Sequence, residues 1–167
     1  PETTINSRPA NLTNNGSATF TFSSNEAGSV FECNLDNVGF TLCATGQNYT
    51  GLASGSHNFQ VRAIDLAGNI DPTPAAYNWT IDAVAPDTTI ISAPAALTTS
   101  TSATFEFTST EAGSTFQCRL DVDGFVACTS PAPYSGLAFG DHNFQVQATD
   151  PAGNTDPSSD DVSWTIQ

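Results

Sequence analysis

Lysine and methionine are absent from this 167-residue chain, and arginine occurs only at Arg8, Arg62 and Arg119. Set against 17 acidic residues, these three cations leave a formal net charge of −14. A nucleic-acid binder needs a basic footprint, so that class is excluded, and an acidic membrane surface would repel the chain. No apolar run is long enough to insert in a bilayer. No secretory leader pattern opens the sequence, which therefore reads as a mature fragment. There is no serine-elbow motif and no phosphate-binding loop, and no stretch offers a helical period. Carboxylate pairs such as Asp121/Asp123 and Asp160/Asp161 fall in or near turns, without an apolar pocket to raise a pKa. The sequence is not read as an enzyme. What an excess of one sign does imply is solubility, resistance to self-association and affinity for cations.

What is present is a duplication. Pro1-Glu2-Thr3-Thr4-Ile5 returns as Pro86-Asp87-Thr88-Thr89-Ile90, an offset of 86 − 1 = 85 that holds without a gap to Trp164-Thr165-Ile166. More than half of the aligned positions are identical. A unit this long is a domain rather than a solenoid turn. Residues 1–85 and 86–167 are therefore expected to be two domains in series.

Each copy contains two cysteines at the same spacing, Cys33 and Cys43 in the first, Cys118 and Cys128 in the second. Three pairings are formally open. The repeat argues for Cys33–Cys43 and Cys118–Cys128, since each domain folds beside its twin, and such disulfides imply an oxidising compartment. Zinc is the competing reading, but no histidine stands near either pair in sequence.

Short alternating segments set the fold class. Ala18, Phe20 and Phe22 share one face of Ser17–Phe22, as Ala103, Phe105 and Phe107 do in the copy. Phe31, Cys33 and Leu35 follow, then Phe40–Cys43, then Phe59, Val61 and Ala63, and finally Tyr77, Trp79 and Ile81. The second copy supplies Phe144, Val146 and Ala148, then Val162, Trp164 and Ile166. Period two marks half-buried strands, and short strands at regular spacing point to a sandwich. If Cys33 faces Cys43, Asn37-Val38-Gly39 becomes a three-residue hairpin loop ending in a left-handed glycine. Val122-Asp123-Gly124 is its counterpart.

The stretch Gly51–Asn69 and its copy Gly136–Asn154 combine a turn, an alternating strand and Asp-x-Ala-Gly-Asn. With Glu26-Ala27-Gly28-Ser29 and the closing Trp79-Thr80-Ile81-Asp82, it resembles the bacterial immunoglobulin-like, fibronectin-III-related domains strung along large extracellular adhesins and surface proteins. The resemblance covers both copies nearly end to end. It implies an all-β chain of two tandem Ig/fibronectin-III-like antiparallel β-sandwiches, serving outside the cell as a stalk, spacer or adhesive module. Such domains serve adhesins, enzymes and filaments alike, so the likeness speaks to fold more than to activity.

In that topology the loop Asp65–Asn69 and the loop carrying Glu26 reach the same end of domain one. Asp150–Asn154 and Glu111 do the same in domain two, where the connector Asp82–Asp87 enters. Asp82, Asp87, Glu111, Asp150 and Asn154 are thus expected to converge at the junction, as oxygen ligands suited to calcium. Glu2, Glu26, Asp65 and Asn69 form the analogous set in domain one. Some relatives in giant adhesins stiffen their junctions with calcium. The alternative is that Asp and Asn merely cap their own turns while Gly68 supplies a positive φ.

Other residues have plainer expectations. His57 and His142 begin equivalent strands and read as hydrogen-bonded strand-end histidines. Tyr49 and Tyr134 read as buried, and Trp79 and Trp164 as core. Phe139, replacing Ser54 in an exposed turn, hints at a contact surface. Glycosylation sequons at Asn11 and Asn15 fall in a turn; two more occur at Asn48 and Asn78.

Together these features describe a structural or adhesive extracellular module, secreted or at the cell surface, whose partners are neighbouring repeats or head-to-tail copies. One alternative is a carbohydrate- or receptor-binding module reading through loops Ala44–Gln47 and Thr129–Pro133. Another is an accessory region of a secreted enzyme.

Overall fold

A computed structural model describes all of residues 1–167. The chain divides into two compact units, Pro1–Ala83 and Val84–Gln167, here called repeats 1 and 2. Repeat 1 contains β1 (Thr3–Ser7), β2 (Leu12–Thr13), β3 (Ala18–Ser24), β4 (Val30–Leu35), β5 (Thr41–Cys43), β6 (Gln47–Tyr49), β7 (Gly55–Ile64) and β8 (Ala75–Ile81). Repeat 2 matches it with β9 (Thr88–Ser92), β10 (Leu97–Thr98), β11 (Ala103–Ser109), β12 (Thr115–Leu120), β13 (Val126–Cys128), β14 (Ala132–Tyr134), β15 (Gly140–Thr149) and β16 (Asp160–Ile166). In each repeat a three-stranded sheet, β1-β3-β6 or β9-β11-β14, faces a five-stranded one, β2-β8-β7-β4-β5 or β10-β16-β15-β12-β13.

The core follows from the alternation. Phe20, Phe59 and Val61 are completely buried, as are Phe105, Phe144 and Val146. Across the two sheets the rings of Phe20 and Phe59 stack with centroids 3.9 Å apart, and Phe105 and Phe144 repeat the contact at 3.9 Å. Trp79 meets Phe20 edge-on at 5.3 Å. Each such aromatic pair adds about 0.5–1.5 kcal/mol beyond area burial. That matters in domains of this size, whose cores are small.

The two expected antiparallel sandwiches are present, with one short parallel pair in each: β2 runs parallel to β8, with Leu12 opposite Thr80, and β10 runs parallel to β16. The cause is a sheet switch. β1 pairs with β3 on the small sheet, the chain passes Pro9, which has no N–H to continue a ladder, and resumes beside β8 on the large sheet. Pro94 holds the same place in repeat 2.

The cystine hairpin has a register other than the expected one. Cys33 lies opposite Thr41 and Cys43 opposite Phe31, so the disulfide is diagonal, with Cα atoms 5.8 Å apart. The reversal is made by Asp36 and Asn37, both at positive φ (52° and 60°), with Val38 N–H donating to Leu35 O at 3.2 Å. Two central residues at positive φ make the hairpin-type turn whose twist matches the flanking strands. The turn thus forms ahead of the expected Asn37-Val38-Gly39 loop. In repeat 2 Asp121 takes the left-handed position at φ 53°, and Gly124 is not at positive φ.

Both disulfides pair within a repeat, Cys33–Cys43 and Cys118–Cys128, each spanning 10 residues. Closing so short a loop is worth about 2–3 kcal/mol by chain entropy. The double substitution Cys33→Ser/Cys43→Ser is therefore expected to leave a β-rich circular-dichroism spectrum while lowering stability toward urea by about that amount in one repeat; an unchanged urea midpoint would contradict it.

Candidate functional site

The two Asp-x-Ala-Gly-Asn loops are built around their aspartates. Asp65 Oδ1 accepts from the N–H groups of Ala67 and Asn69, both at 2.8 Å, and Asp65 Oδ2 accepts from Asn69 Nδ2 at 2.6 Å. In repeat 2 the N–H groups of Gly153 and Asn154 reach Asp150 Oδ1 at 2.6 and 2.8 Å, and Asn154 Nδ2 reaches Oδ2 at 2.7 Å. Each aspartate thus folds its own loop. The side-chain and backbone donors of Asn69 lower the carboxyl pKa of Asp65. Burial opposes ionisation of Asp150, yet donation from Asn154, Gly153 and Ala152 outweighs it, and that carboxyl too stays below the usual range.

The neighbouring loop packs against this one in both repeats. Gly28 sits at φ +83°, and a Cβ there would lie 3.2 Å from Leu66; Gly113, at φ +82°, would meet Pro151 at 3.3 Å. The positive φ calls for glycine at both positions, and a side chain there would also crowd Leu66 or Pro151. This packing puts Glu26 beside the Asp65 loop and Glu111 beside the Asp150 loop. Carboxylate oxygens of Glu111 and Asp150 come within 4.8 Å of each other. Asp87 belongs to the same end of repeat 2: its N–H donates to Thr110 Oγ1 at 2.9 Å and its carbonyl accepts from Thr110 N–H at 3.0 Å. Glu2 is held likewise, its N–H on Asn25 Oδ1 at 2.8 Å. The Pro1 ammonium pairs with Glu26 at 3.0 Å. Asp82 leaves β8 with its N–H on Thr13 O at 2.9 Å.

No arginine compensates this acidic rim. Arg62 bonds Glu32 at 2.7 Å and covers Phe40 at 4.0 Å. Arg119 bonds Gln145 and lies 4.9 Å over Phe125, and Arg8 lies 4.3 Å over Tyr77.

Sequence reasoning missed Asp71 and Asp156. Each is 2% exposed. Asp71 Oδ2 accepts from the N–H and the hydroxyl of Thr3 at 2.8 and 2.7 Å, while Oδ1 accepts from the N–H and hydroxyl of Thr73 at 2.9 and 3.1 Å. Ala63 N–H then donates to Thr3 Oγ1 at 2.8 Å. Thr88, Asp156, Ser158 and Ala148 repeat the arrangement. A buried carboxylate with four donors binds the first strand of one sheet to the other sheet. The signal in the sequence was Asn-x-Asp-Pro, identical at Asn69–Pro72 and Asn154–Pro157.

The remaining residues fall as follows. His57 and His142 each bond through both ring nitrogens. Tyr49 and Tyr134 are half-buried against Phe20 and Phe105, and burial raises their pKa values. Trp79 and Trp164 are core, and Phe139 is 74% exposed. Asn11 and Asn15 are exposed, with Asn15 Oδ1 holding Ser17 N–H at 3.0 Å. The segments Ala44–Gln47 and Thr129–Pro133 are partly ordered by the sheets. They run into β6 and β14 on the sheet edges, with Thr45 and Ser130 hydroxyls accepting from Phe22 and Phe107 N–H.

The fold is that of tandem fibronectin-III-like sandwiches. No protein-family model matches the sequence, and no curated protein matches it by sequence. Solved structures do match. The fibronectin(III)-like modules of Clostridium thermocellum CbhA align over 99% of this chain and 94% of theirs, with TM-score 0.55 and 16% identity. A Ca2+-stabilized adhesin that helps an Antarctic bacterium reach out and bind ice aligns over 99% of this chain and 48% of its own, with TM-score 0.46 and 16% identity. A tetra-tandem repeat in the extending region of a large adhesion protein aligns over 99% and 48%, with TM-score 0.38 and 16% identity. Structural neighbours are thus fibronectin-III-like modules and tandem repeats of bacterial adhesins, and the CbhA likeness shows the fold.

Burial opposes charge on Asp71 and Asp156 as well, but their threonine and serine donors hold both carboxyls below the ordinary value of 3.8. A folded pKa below the unfolded one contributes stability above the unfolded value that is lost as pH falls through the folded value. Acid unfolding is accordingly expected only below about pH 3.8. Asp71→Asn, which puts an amide NH2 against the threonine donors, is expected to cost about 3 kcal/mol in urea melts at pH 7 and to flatten the acid limb. A loss under about 1 kcal/mol would show that the clasp is dispensable.

Proposed function

We propose that this chain is a structural segment of an extracellular surface protein, a stalk, spacer or fibre-forming stretch built from successive sandwiches, with calcium at the acidic rim as its stiffening ion. The observation that carries this reading is what the duplication preserves. The residues identical in both copies are those that close each sandwich: the stacked phenylalanines, the cystine, the buried Asp–Thr clasp and the rim loops. None of them shapes an enclosed reactive cleft. Cystines favour an oxidising exterior, and a charge of −14 discourages lateral clumping of parallel chains. The natural partners in this reading are further repeats of the same kind, or copies joined head to tail.

For calcium, repeat 2 offers Asp87, Glu111, Asp150 and the side-chain oxygen of Asn154. Hard oxygen donors at an arginine-free rim fit such an ion. Glu2, Glu26, Asp65 and Asn69 are the counterparts in repeat 1. The ion would supply charge neutralisation and cross-linking of the two rim loops, each of which already holds its own shape.

Calcium titration of the whole chain tests this. Extracellular modules bind calcium at about 10⁻⁴–10⁻³ M, and saturation a hundredfold above Kd stabilises by about 2.7 kcal/mol. At about 10 mM calcium, with a Kd near 10⁻⁴ M, the melting temperature is expected to rise by several degrees and X-ray scattering to show a longer, stiffer particle. Magnesium should substitute poorly. Melting and scattering curves indifferent to calcium would remove the ion from the account. A specific signal on a glycan array would instead favour a binding module over a spacer.

A further inference from the structure

We propose that His57 and His142 are imidazolium clasps that fix the outgoing end of each sandwich, so that this end loosens when the rings lose their extra proton. The protonation follows from the partners of each ring. His57 Nδ1 lies 2.8 Å from Asp36 Oδ2 and His57 Nε2 lies 2.9 Å from Ala53 O. A carboxylate and a carbonyl only accept, so both ring nitrogens must donate, and only the cation carries two N–H groups. His142 makes the same pair of contacts with Asp121 and Ala138, at 2.8 and 2.9 Å. Each ring also stacks on a buried tryptophan, His57 on Trp79 and His142 on Trp164, with centroids 5.2 Å apart in both. An indole face favours a cation.

The clasp joins three segments of one end. Asp36 is the first of the two left-handed residues of the cystine hairpin turn, and its Oδ1 also accepts Asn58 N–H at 2.9 Å. Ala53 belongs to the loop before β7. Trp79 lies on β8, two residues before the strand ends. In repeat 1 this loop also holds the departing chain, because Ser54 Oγ accepts Ala83 N–H at 3.2 Å. A neutral His57 must present a lone pair either to Asp36 or to Ala53 O, and it repels whichever it faces. The charged group facing His57 is Asp36; those facing His142 are Asp121 and, farther off, Asp141. Burial opposes charge on His57, but Ala53 O and Asp36 outweigh it and raise its pKa above the ordinary 6.5. For His142 the Ala138 carbonyl and Asp121 do the same. The sign follows: a raised folded pKa gives stability that is complete below 6.5 and is lost as pH rises through the folded value. The clasp is thus lost under alkaline conditions, whereas the stability supplied by the aspartate loops is lost in acid, and the clasp requires no calcium.

Nitrogen-15 NMR of the two imidazoles in the whole chain, from about pH 5 to pH 10, tests the assignment. Both nitrogens of each ring are expected to be protonated at pH 6.5, with titration midpoints above that value. The amide signals of Ser54 and Ala83 are expected to shift with the His57 midpoint. Asp36→Asn, which keeps an acceptor for Asn58 N–H but removes the charge, should lower the His57 midpoint by about one pH unit, a tenfold weaker proton affinity. His142 should stay unmoved and serves as the internal control. A single neutral tautomer at pH 6, or Ser54 and Ala83 signals that ignore the His57 titration, would overturn the proposal in the wild-type chain alone.

Discussion

One buried, fully hydrogen-bonded carboxylate in each repeat ties its two sheets together. Asp71 stands between the sheets with its two oxygens taken by four donors, two from Thr3 and two from Thr73. An ionised group in that position is tolerable only when fully hydrogen-bonded. The consequence runs outward along the chain. Asp71 N–H bonds Ala63 O at 2.9 Å, which brings the chain back to β7 after its excursion. Residues 64–70 are thereby pinned at both ends, and Asp65 N–H on Asn69 O at 3.0 Å closes the smaller loop within. The rim loop is therefore an appendage of the clasp. Its aspartate is held in place by the loop's own backbone donors.

Strand positions were legible in the sequence because one face of each is apolar and the other is wet. Phe20, Phe59 and Trp79 fell inward where their parity put them. β1, β2 and β6 were not read, and the reason is the same: they are edge segments of five, two and three residues with little buried side-chain area to leave a pattern. The cystine register was misjudged because direct and diagonal cysteine pairs both place Cα atoms within disulfide reach. Spacing alone does not separate them. The left-handed Asp36 and Asn37 carried the missing information, since aspartate and asparagine tolerate that conformation, and Asp121 repeats it. At the rim, Asp-x-Ala-Gly-Asn was legible as a loop. Its partner Asp71 was hidden because an aspartate beside a proline reads as solvent turn chemistry until its burial is known.

The two copies also show which contacts are interchangeable. In repeat 1 Glu32 and Arg62 face each other across β4 and β7 and form a half-buried ion pair, with the guanidinium over Phe40. In repeat 2 both partners have changed together: Gln117 and Gln147 occupy those positions and bond at 3.1 Å. The arginine has moved to the neighbouring outward position on β12, as Arg119, yet still covers the equivalent Phe125. A cross-strand pair is the unit that changes, and the ion pair itself is expendable, as expected of a contact worth a fraction of a kcal/mol near solvent. The arginine–aromatic contact outlasts the salt bridge because the ring does not move with the pair.

That contrast bears on how the constant residues are read. Where a contact lies on an outer sheet face, duplication let it drift. Where it ties segments at an end of the sandwich, the chemistry persists: Asp36, His57 and Trp79 at one end, Glu26, Gly28, Asp65 and Asn69 at the other. The outer sheet face tolerates Gln for Glu, and at the ends the exchanges fall beside these residues, as with Ser54 and Phe139 or Leu66 and Pro151. The end contacts shared by the two copies are those through which each sandwich holds its own turns and loops in place, and they are the contacts on which the proposed spacer reading rests.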